Sequence, residues 1–256
     1  MFRTTLKAFA VIGGLLAAMP TPAQAAGEAI HIPDTRFSFD GVFGTYDRAS
    51  AQRGFQVYKE VCAACHSMRL MSYRNLRDLG LTEQQVAAIA SQFQVMDGPN
   101  DEGQMFERAG RPSDRFRSPF ANPQAARAAN NGAYPPDLSV IAKARAGGAD
   151  YLYALLTGYS DPPAGVTLME GMNYNAYFPG HQIAMARPLN PDQVQYADGT
   201  AATVEQMSRD VATFLQWAAE PELEERRSMG VKVILFLTIL AGLAYAVKRK
   251  IWADAH

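Results

Sequence analysis

Apolar side chains recur at helical intervals in several stretches of this chain. After Asp47-Arg48-Ala49-Ser50, Phe55, Tyr58, Val61 and Cys62 fall on one face, which predicts a helix capped by Asp47 or Ser50. Gly54 lies inside that helix, where glycine costs about 1 kcal/mol against alanine, so the position predicts a second backbone close by. Thr82-Glu83-Gln84-Gln85 reads as a capping box ahead of Val86, Ile89 and Phe93. Asn122-Pro123 opens a short helix that Asn131-Gly132 closes, and Asp150 to Thr157 turns Leu152, Leu155 and Leu156 inward before Gly158. Thr203-Val204-Glu205-Gln206 is a second capping box; Val204, Met207, Val211, Leu215 and Ala218 then share a face, and Pro221 stops the helix.

Between these helices the pattern fades. Residues 30–46 read as an extended arm, Asp97 to Gly110 as a polar loop, Pro135-Pro136 as an extended turn, and Asp161 to Tyr196 as a long loop without a period. A loop of that length inside a domain is usually functional. The expected fold is mainly α, with long irregular loops.

Two stretches are apolar on every side. Ala8 to Ala18 follows Arg3 and Lys7 and precedes Ala23-Gln24-Ala25, the layout of a secretory signal peptide over residues 1–25. Its paucity of Arg and Ser argues for bacterial export and against a mitochondrial transit peptide. Met229 to Val247 is broken only by Lys232, whose amine can reach the interface, and as a helix it covers roughly 28 Å, one hydrocarbon core. Lys248-Arg249-Lys250 marks the cytoplasmic side. The expected organisation is a leader (1–25), a periplasmic domain (26–228), a transmembrane helix (229–247) and a cytoplasmic tail (248–256), placing the chain in a bacterial inner membrane.

A net charge of −1 gives no case for nucleic acid. Both cysteines of the chain lie in Cys62-Ala63-Ala64-Cys65-His66. A redox dithiol would call for a thioredoxin-like βαβ setting, and a structural zinc site for a second ligand pair; the sequence has neither. C-x-x-C-H is the attachment signature of one haem c, with two thioethers to the porphyrin and His66 directed at the iron. Export fits this reading. No thiol remains for a disulfide.

The second iron ligand is less constrained. Met68 and Met71 are too near His66 to reach the opposite face, Met207 sits in a core stripe, and Met229 begins the membrane segment. Met96, Met105, Met169, Met172 and Met185 remain, with His31 and His181 as rivals. Met185 is favoured by its apolar, proline-bounded turn, Gln182-Ile183-Ala184-Met185-Ala186-Arg187-Pro188.

Longer matches carry a family resemblance: Arg53-Gly54-Phe55-Gln56-Val57-Tyr58, Met96-Asp97-Gly98-Pro99-Asn100, Ala125 to Ser139, Leu156-Thr157-Gly158-Tyr159, Tyr177-Phe178-Pro179-Gly180 and Phe214 to Pro221. On these the chain resembles the cytochrome c1 family, haem-bearing subunits of the ubiquinol–cytochrome c oxidoreductase (the bc1 complex). The resemblance implies a class I c-type cytochrome domain whose first and last helices cross near a glycine. It implies thioether anchors at Cys62 and Cys65, iron ligands at His66 and Met185, a haem-propionate partner in Arg145 and a haem-pocket proline in Pro135. It further implies an electron-transfer subunit with no catalysis of its own, in a dimeric complex. Cytochrome b and a Rieske iron–sulfur protein are the neighbours, and cytochrome c is the acceptor. A free-standing, membrane-anchored cytochrome serving an oxidase is the alternative. Some bacterial relatives staple the distal loop with an extra cysteine pair, which this chain lacks. The acidic residues Asp97, Asp101, Glu102 and Glu107 are candidates for steering a basic acceptor.

Overall fold

The structure is a computed structural model that describes residues 30–253. The expected leader and the last three residues of the tail lie outside the described residues.

Helix α1 (Arg48–Glu60) begins where the Asp47 carboxylate accepts from the amides of Ala49 and Ser50. Of the two candidate caps it is therefore Asp47 that caps; Ser50 is buried one turn in. Helix α1 crosses α5 (Val204–Ala219) at Gly54. A Cβ built on Gly54 would stand 2.0 Å from the Asp210 carbonyl oxygen and 2.8 Å from Phe214 Cβ, so only glycine admits the crossing. Around it Phe55, Tyr58, Phe116 and Phe214 form an aromatic cluster, tilted except for the stacked Tyr58–Phe116 pair, with the Phe55 and Phe214 rings 5.6 Å apart. Trp217, Met207 and Val211 extend this core along α5, and Met68 and Met71 fill it from the segment after the cysteines. Met207 is packing, as its apolar stripe predicted; Met68 and Met71, set aside only for their nearness to His66, are core residues as well.

Asp210 is buried at the same crossing. It accepts from Ser50 Oγ at 2.7 Å, from Arg53 Nε at 2.9 Å and from Gln206 Nε2 at 3.0 Å. The capping box expected at α5 is consequently half made. Thr203 Oγ1 accepts from the Gln206 amide, but the Gln206 side chain is turned to Asp210 instead of back to the cap.

Helix α2 (Glu83–Ala90) carries the full capping box between Thr82 and Gln85. Residues 97–110 depart from the expected loop. Strands β1 (Gln94–Asp97) and β2 (Phe106–Ala109) form an antiparallel hairpin with Gln94 opposite Ala109. Arg108 holds it, donating to Asp97 on the facing strand and to Asp114 beyond. Helix α3 (Pro123–Ala129) is capped by Asn122. Helix α4 (Gly148–Thr157) starts two residues before the expected Asp150, because Gly147 at φ 85° supplies a left-handed entry; it packs on α5. The long loop that follows contains the two-residue strands β3 (Asn173–Tyr174) and β4 (Gln182–Ile183), paired antiparallel, with a short 3-10 turn over Pro179–His181 between them.

Helix α6 (Leu223–Ile251) leaves α5 after three residues. Its first turn is built into the globule. Leu223 is buried, the Glu224 carboxylate accepts from the Tyr46 amide at 2.7 Å and pairs with Arg48 at 3.0 Å, and Arg227 donates to the Phe39 and Gly44 carbonyls. From Met229 onward its apolar side chains are exposed, and it is long and apolar enough to cross a membrane.

Candidate haem site

Val61 ends α1, and the chain tightens into a short 3-10 turn over Cys62–Ala64. The Cys62 carbonyl accepts from both the Cys65 amide (3.1 Å) and the His66 amide (2.9 Å), so the three functional side chains issue from one turn. Both cysteines are free; Cys62 is half-buried and Cys65 exposed. Burial pushes the Cys62 thiol up to about 12, with Cys65 adding to the effect, so at neutral pH it is a protonated thiol.

The His66 Nδ1 lies 2.8 Å from the Pro136 carbonyl oxygen. A carbonyl can only accept, so Nδ1 carries the proton and Nε2 presents its lone pair. Burial lowers the imidazole pKa against the pull of that carbonyl and of Asp137, which favours the neutral ring a metal needs.

The segment after Pro136 is tied to the histidine turn along its length. The Leu138 amide donates to the Ser67 carbonyl at 2.8 Å. Asp137 accepts from Ser67 Oγ at 2.7 Å and from the amides of Arg69 and Ser139 at 2.9 Å each. The Leu70 amide donates to Ser139 Oγ at 3.0 Å. Burial opposes ionisation of Asp137, yet the Ser139, Arg69 and Ser67 donors outweigh it and hold the carboxyl down at about 2. Asp137 escapes the sequence reading, although Asp137-Leu138-Ser139 behind a proline pair is a turn-forming pattern that could have exposed it. Pro135 is half-buried beside this contact; it is Pro136 that meets His66.

Met185 follows β4, and its half-buried side chain belongs to a turn held by its backbone. Its carbonyl accepts from Tyr159 Oη at 3.0 Å and more distantly from Asn173 Nδ2 at 3.4 Å. The Arg187 guanidinium donates back to the Tyr159 carbonyl. Tyr159 and Asn173 are further residues that sequence reasoning missed. Of the rivals, Met96, Met105 and Met169 are largely exposed and His31 is exposed. His181 stacks on Tyr174 and turns Nδ1 to the Asn175 carbonyl at 3.3 Å.

Arg145 is exposed and bonds only its neighbour, the Ala144 carbonyl; among the described residues no carboxylate pairs with it. It is close enough to Tyr151 for its charge to ease the rise that burial imposes on that phenol, and Tyr151 in turn is felt at Tyr159. Pro135 adjoins the His66 contact through its neighbour Pro136.

Two free thiols on one turn, an imidazole with its Nε2 lone pair outward, a thioether in a braced turn and an unpaired guanidinium are a donor set that fits haem c. With the mainly α fold, they define a class: a c-type cytochrome, here carrying a helix long and apolar enough to cross a membrane. The sequence profile of the Cytochrome C1 family matches residues 37–255. The chain is 50% identical over 253 residues to "Cytochrome c1 2, heme protein, mitochondrial" of Arabidopsis thaliana, covering 97% of this chain and 82% of that one. It is 45% identical to the "Cytochrome c1" of Rhodospirillum rubrum, with 98% of each chain covered. It is also 52% identical over 229 residues to the "Cytochrome b-c1 complex catalytic subunit, mitochondrial" of Candida albicans, covering 89% and 80%. The chain belongs to the cytochrome C1 family.

Proposed function

We propose that this protein is the haem-bearing electron-transfer subunit of a ubiquinol–cytochrome c oxidoreductase, with no catalysis of its own. Cys62 and Cys65 hold one haem c by thioethers, His66 and Met185 are the iron ligands, Arg145 meets a propionate and Pro135 lines the pocket. The observation that supports the reading is the His66–Pro136 hydrogen bond, which favours the tautomer that leaves Nε2 free to ligate. Bound haem supplies a one-electron ferric–ferrous couple.

The protein supplies the rest. His66 is oriented by Pro136, and Asp137 locks the Pro136 segment to the histidine turn. Tyr159 and Asn173 fix the backbone from which Met185 projects, and thioether ligation raises the reduction potential relative to harder ligands. Arg145 offers a planar fork of donors suited to a carboxylate.

The protein works within a membrane complex whose neighbours are cytochrome b and a Rieske iron–sulfur protein, the latter as electron donor, with cytochrome c as acceptor. The complex is dimeric. The domain over residues 26–228 faces the periplasm, residues 1–25 are a removed leader, residues 229–247 span the inner membrane, and residues 248–256 are cytoplasmic, in line with the Lys248-Arg249-Lys250 cluster. The rival reading, a free-standing tethered shuttle, needs slack between globule and anchor. The three-residue joint, buried Leu223 and the Glu224 and Arg227 clamps favour a domain held at a set height.

The test is a redox titration with absorption spectra of the complex carrying wild type or Met185→Leu. Loss of the low-spin six-coordinate signature together with a large fall in potential is expected. An unchanged potential removes Met185 from the mechanism, and failure to copurify with a cytochrome b and a Rieske protein removes the complex.

A further inference from the structure

The turn Asp40–Gly44 carries two apolar side chains that nothing in the globule covers. Val42 is 66% exposed and Phe43 85%. Both ends of the turn are nevertheless fixed. The Asp40 carboxylate accepts from the Phe37 amide at 2.6 Å, and the Thr45 amide donates to the Ser38 carbonyl at 3.1 Å. Gly44 closes it tightly, since a Cβ there would lie 2.1 Å from the Asp40 carbonyl oxygen. A preformed, exposed Val-Phe tip is a costly way to end a surface turn unless something apolar receives it.

Its place in the fold says what. The Tyr46 amide, at the root of the turn, donates to Glu224. The Phe39 and Gly44 carbonyls, nearer the tip, accept from Arg227, three residues further along α6. The turn is thus tied at its root and neck to two α6 residues, Glu224 and Arg227, that stand one helical turn apart. Two residues beyond Arg227, at Met229, the exposed apolar surface of α6 begins. Val42 and Phe43 thus sit on a turn whose neck is tied to α6 two residues before its exposed apolar surface begins.

We infer that the Asp40–Gly44 turn is a second membrane contact, seating Val42 and Phe43 in the headgroup–acyl boundary of the lipid surface that α6 crosses. An aromatic ring beside an aliphatic side chain is the composition that interface accepts. A helix alone leaves a globule free to rotate about the anchor axis. A second point of contact on one side of α6 removes that freedom and selects the face of the domain presented along the membrane. The inference rests on α6 spanning a bilayer, and its test separates the two.

The full-length holoprotein is reconstituted in phosphatidylethanolamine–phosphatidylglycerol vesicles. These contain a phosphatidylcholine with a photoactivatable diazirine near the ester end of its acyl chain. After illumination, tryptic peptides are read by mass spectrometry. Label is expected on Val42 or Phe43 in peptide 37–48, bounded by Arg36 and Arg48, and on peptide 233–248 of α6. In the double variant Val42→Ser, Phe43→Ser, label on 37–48 falls to background, while that on 233–248 and the haem spectrum persist. Label on α6 alone in the wild type overturns the inference and leaves the anchor standing. Label on neither overturns the anchor itself. Label on 37–48 that disappears once the whole complex is assembled overturns lipid as the partner and assigns the turn to a neighbouring subunit.

Discussion

The Tyr159 hydroxyl donates a 3.0 Å hydrogen bond to the Met185 carbonyl, across a gap of 26 residues. Tyr159 is itself buried and fixed: its carbonyl accepts from Arg187, and it forms a bridge with Asn175, which is fully buried. Burial raises the phenol pKa well above its usual value, so the group is a hydrogen-bond donor at any physiological pH. Both cysteines of the chain lie in the C-x-x-C-H turn, so the turn that carries Met185 is held by polar contacts such as this one and not by a disulfide.

Tyr159→Phe removes the brace and keeps the ring. A neutral hydrogen bond contributes about 1 kcal/mol, so Met185 should compete less well with an added ligand by about fivefold. Titration of the ferric protein with imidazole measures this directly. Methionine ligation survives in the absence of competitor, which separates the effect from unfolding. Equal imidazole affinity in the two proteins shows that the brace does not hold the ligand.

Gly54→Ala tests the crossing. Alanine is better than glycine in a helix by about 1 kcal/mol, so propensity alone predicts stabilisation. The Asp210 carbonyl, 2.0 Å from the new Cβ, is backbone and cannot move aside cheaply. Overpacking of this kind costs about 1–3 kcal/mol, and the net sign should be destabilising. Urea denaturation of the holoprotein decides it; a variant as stable as wild type refutes the close crossing.

What the sequence made legible here shares one property: it is local. Gly54 interrupting an apolar helical face, Thr82 with Gln85, and the five residues from Cys62 to His66 each carry their message within a turn or two of chain. The hairpin over 94–109 is hidden because its residues look polar and irregular; it exists through strand pairing and through Arg108 bridging Asp97 and Asp114. The two sides of the candidate site are hidden for the same reason. Asp137 meets Ser67 across 70 residues, and no periodicity encodes a bond of that span. Gln206 shows the limit from the other side: a local cap signal was overridden by Asp210, a buried carboxylate needing donors.

The hairpin also divides the acidic stretch. Asp97 is engaged by Arg108, which holds its carboxyl below the usual range, whereas Asp101, Glu102 and Glu107 are exposed. Reversing the latter three to lysine should slow reduction of a basic cytochrome c about tenfold or more at low salt, an effect that vanishes as ionic strength rises. Asp97→Lys should instead loosen the hairpin, seen as faster amide exchange over 94–109. Stopped-flow rates across a salt series check the first claim; an unchanged salt dependence removes these residues from docking.

Asp137 offers the sharpest separation of structure from ligation, because it touches no candidate ligand yet holds the segment that does. Its carboxylate satisfies Ser67 Oγ and the amides of Arg69 and Ser139. Hydrogen bonds to a charged acceptor contribute about 1.5–3 kcal/mol each and are not additive, so Asp137→Ala should cost about 3 kcal/mol and lower the fraction of chain that matures with covalent haem. Asp137→Asn keeps the shape and loses the charge, and should fall between. The pH dependence has a definite sign. A carboxyl held at about 2 in the folded state, against about 3.9 unfolded, contributes stability that is fully present above about pH 4 and is lost as pH falls through 2. Subtracting the acid-unfolding curve of Asp137→Asn from that of wild type isolates this contribution. The difference should be constant from neutral pH down to about pH 4 and shrink below it. A difference that grows instead as the pH falls shows that Asp137 is not the anion bracing the Pro136 turn.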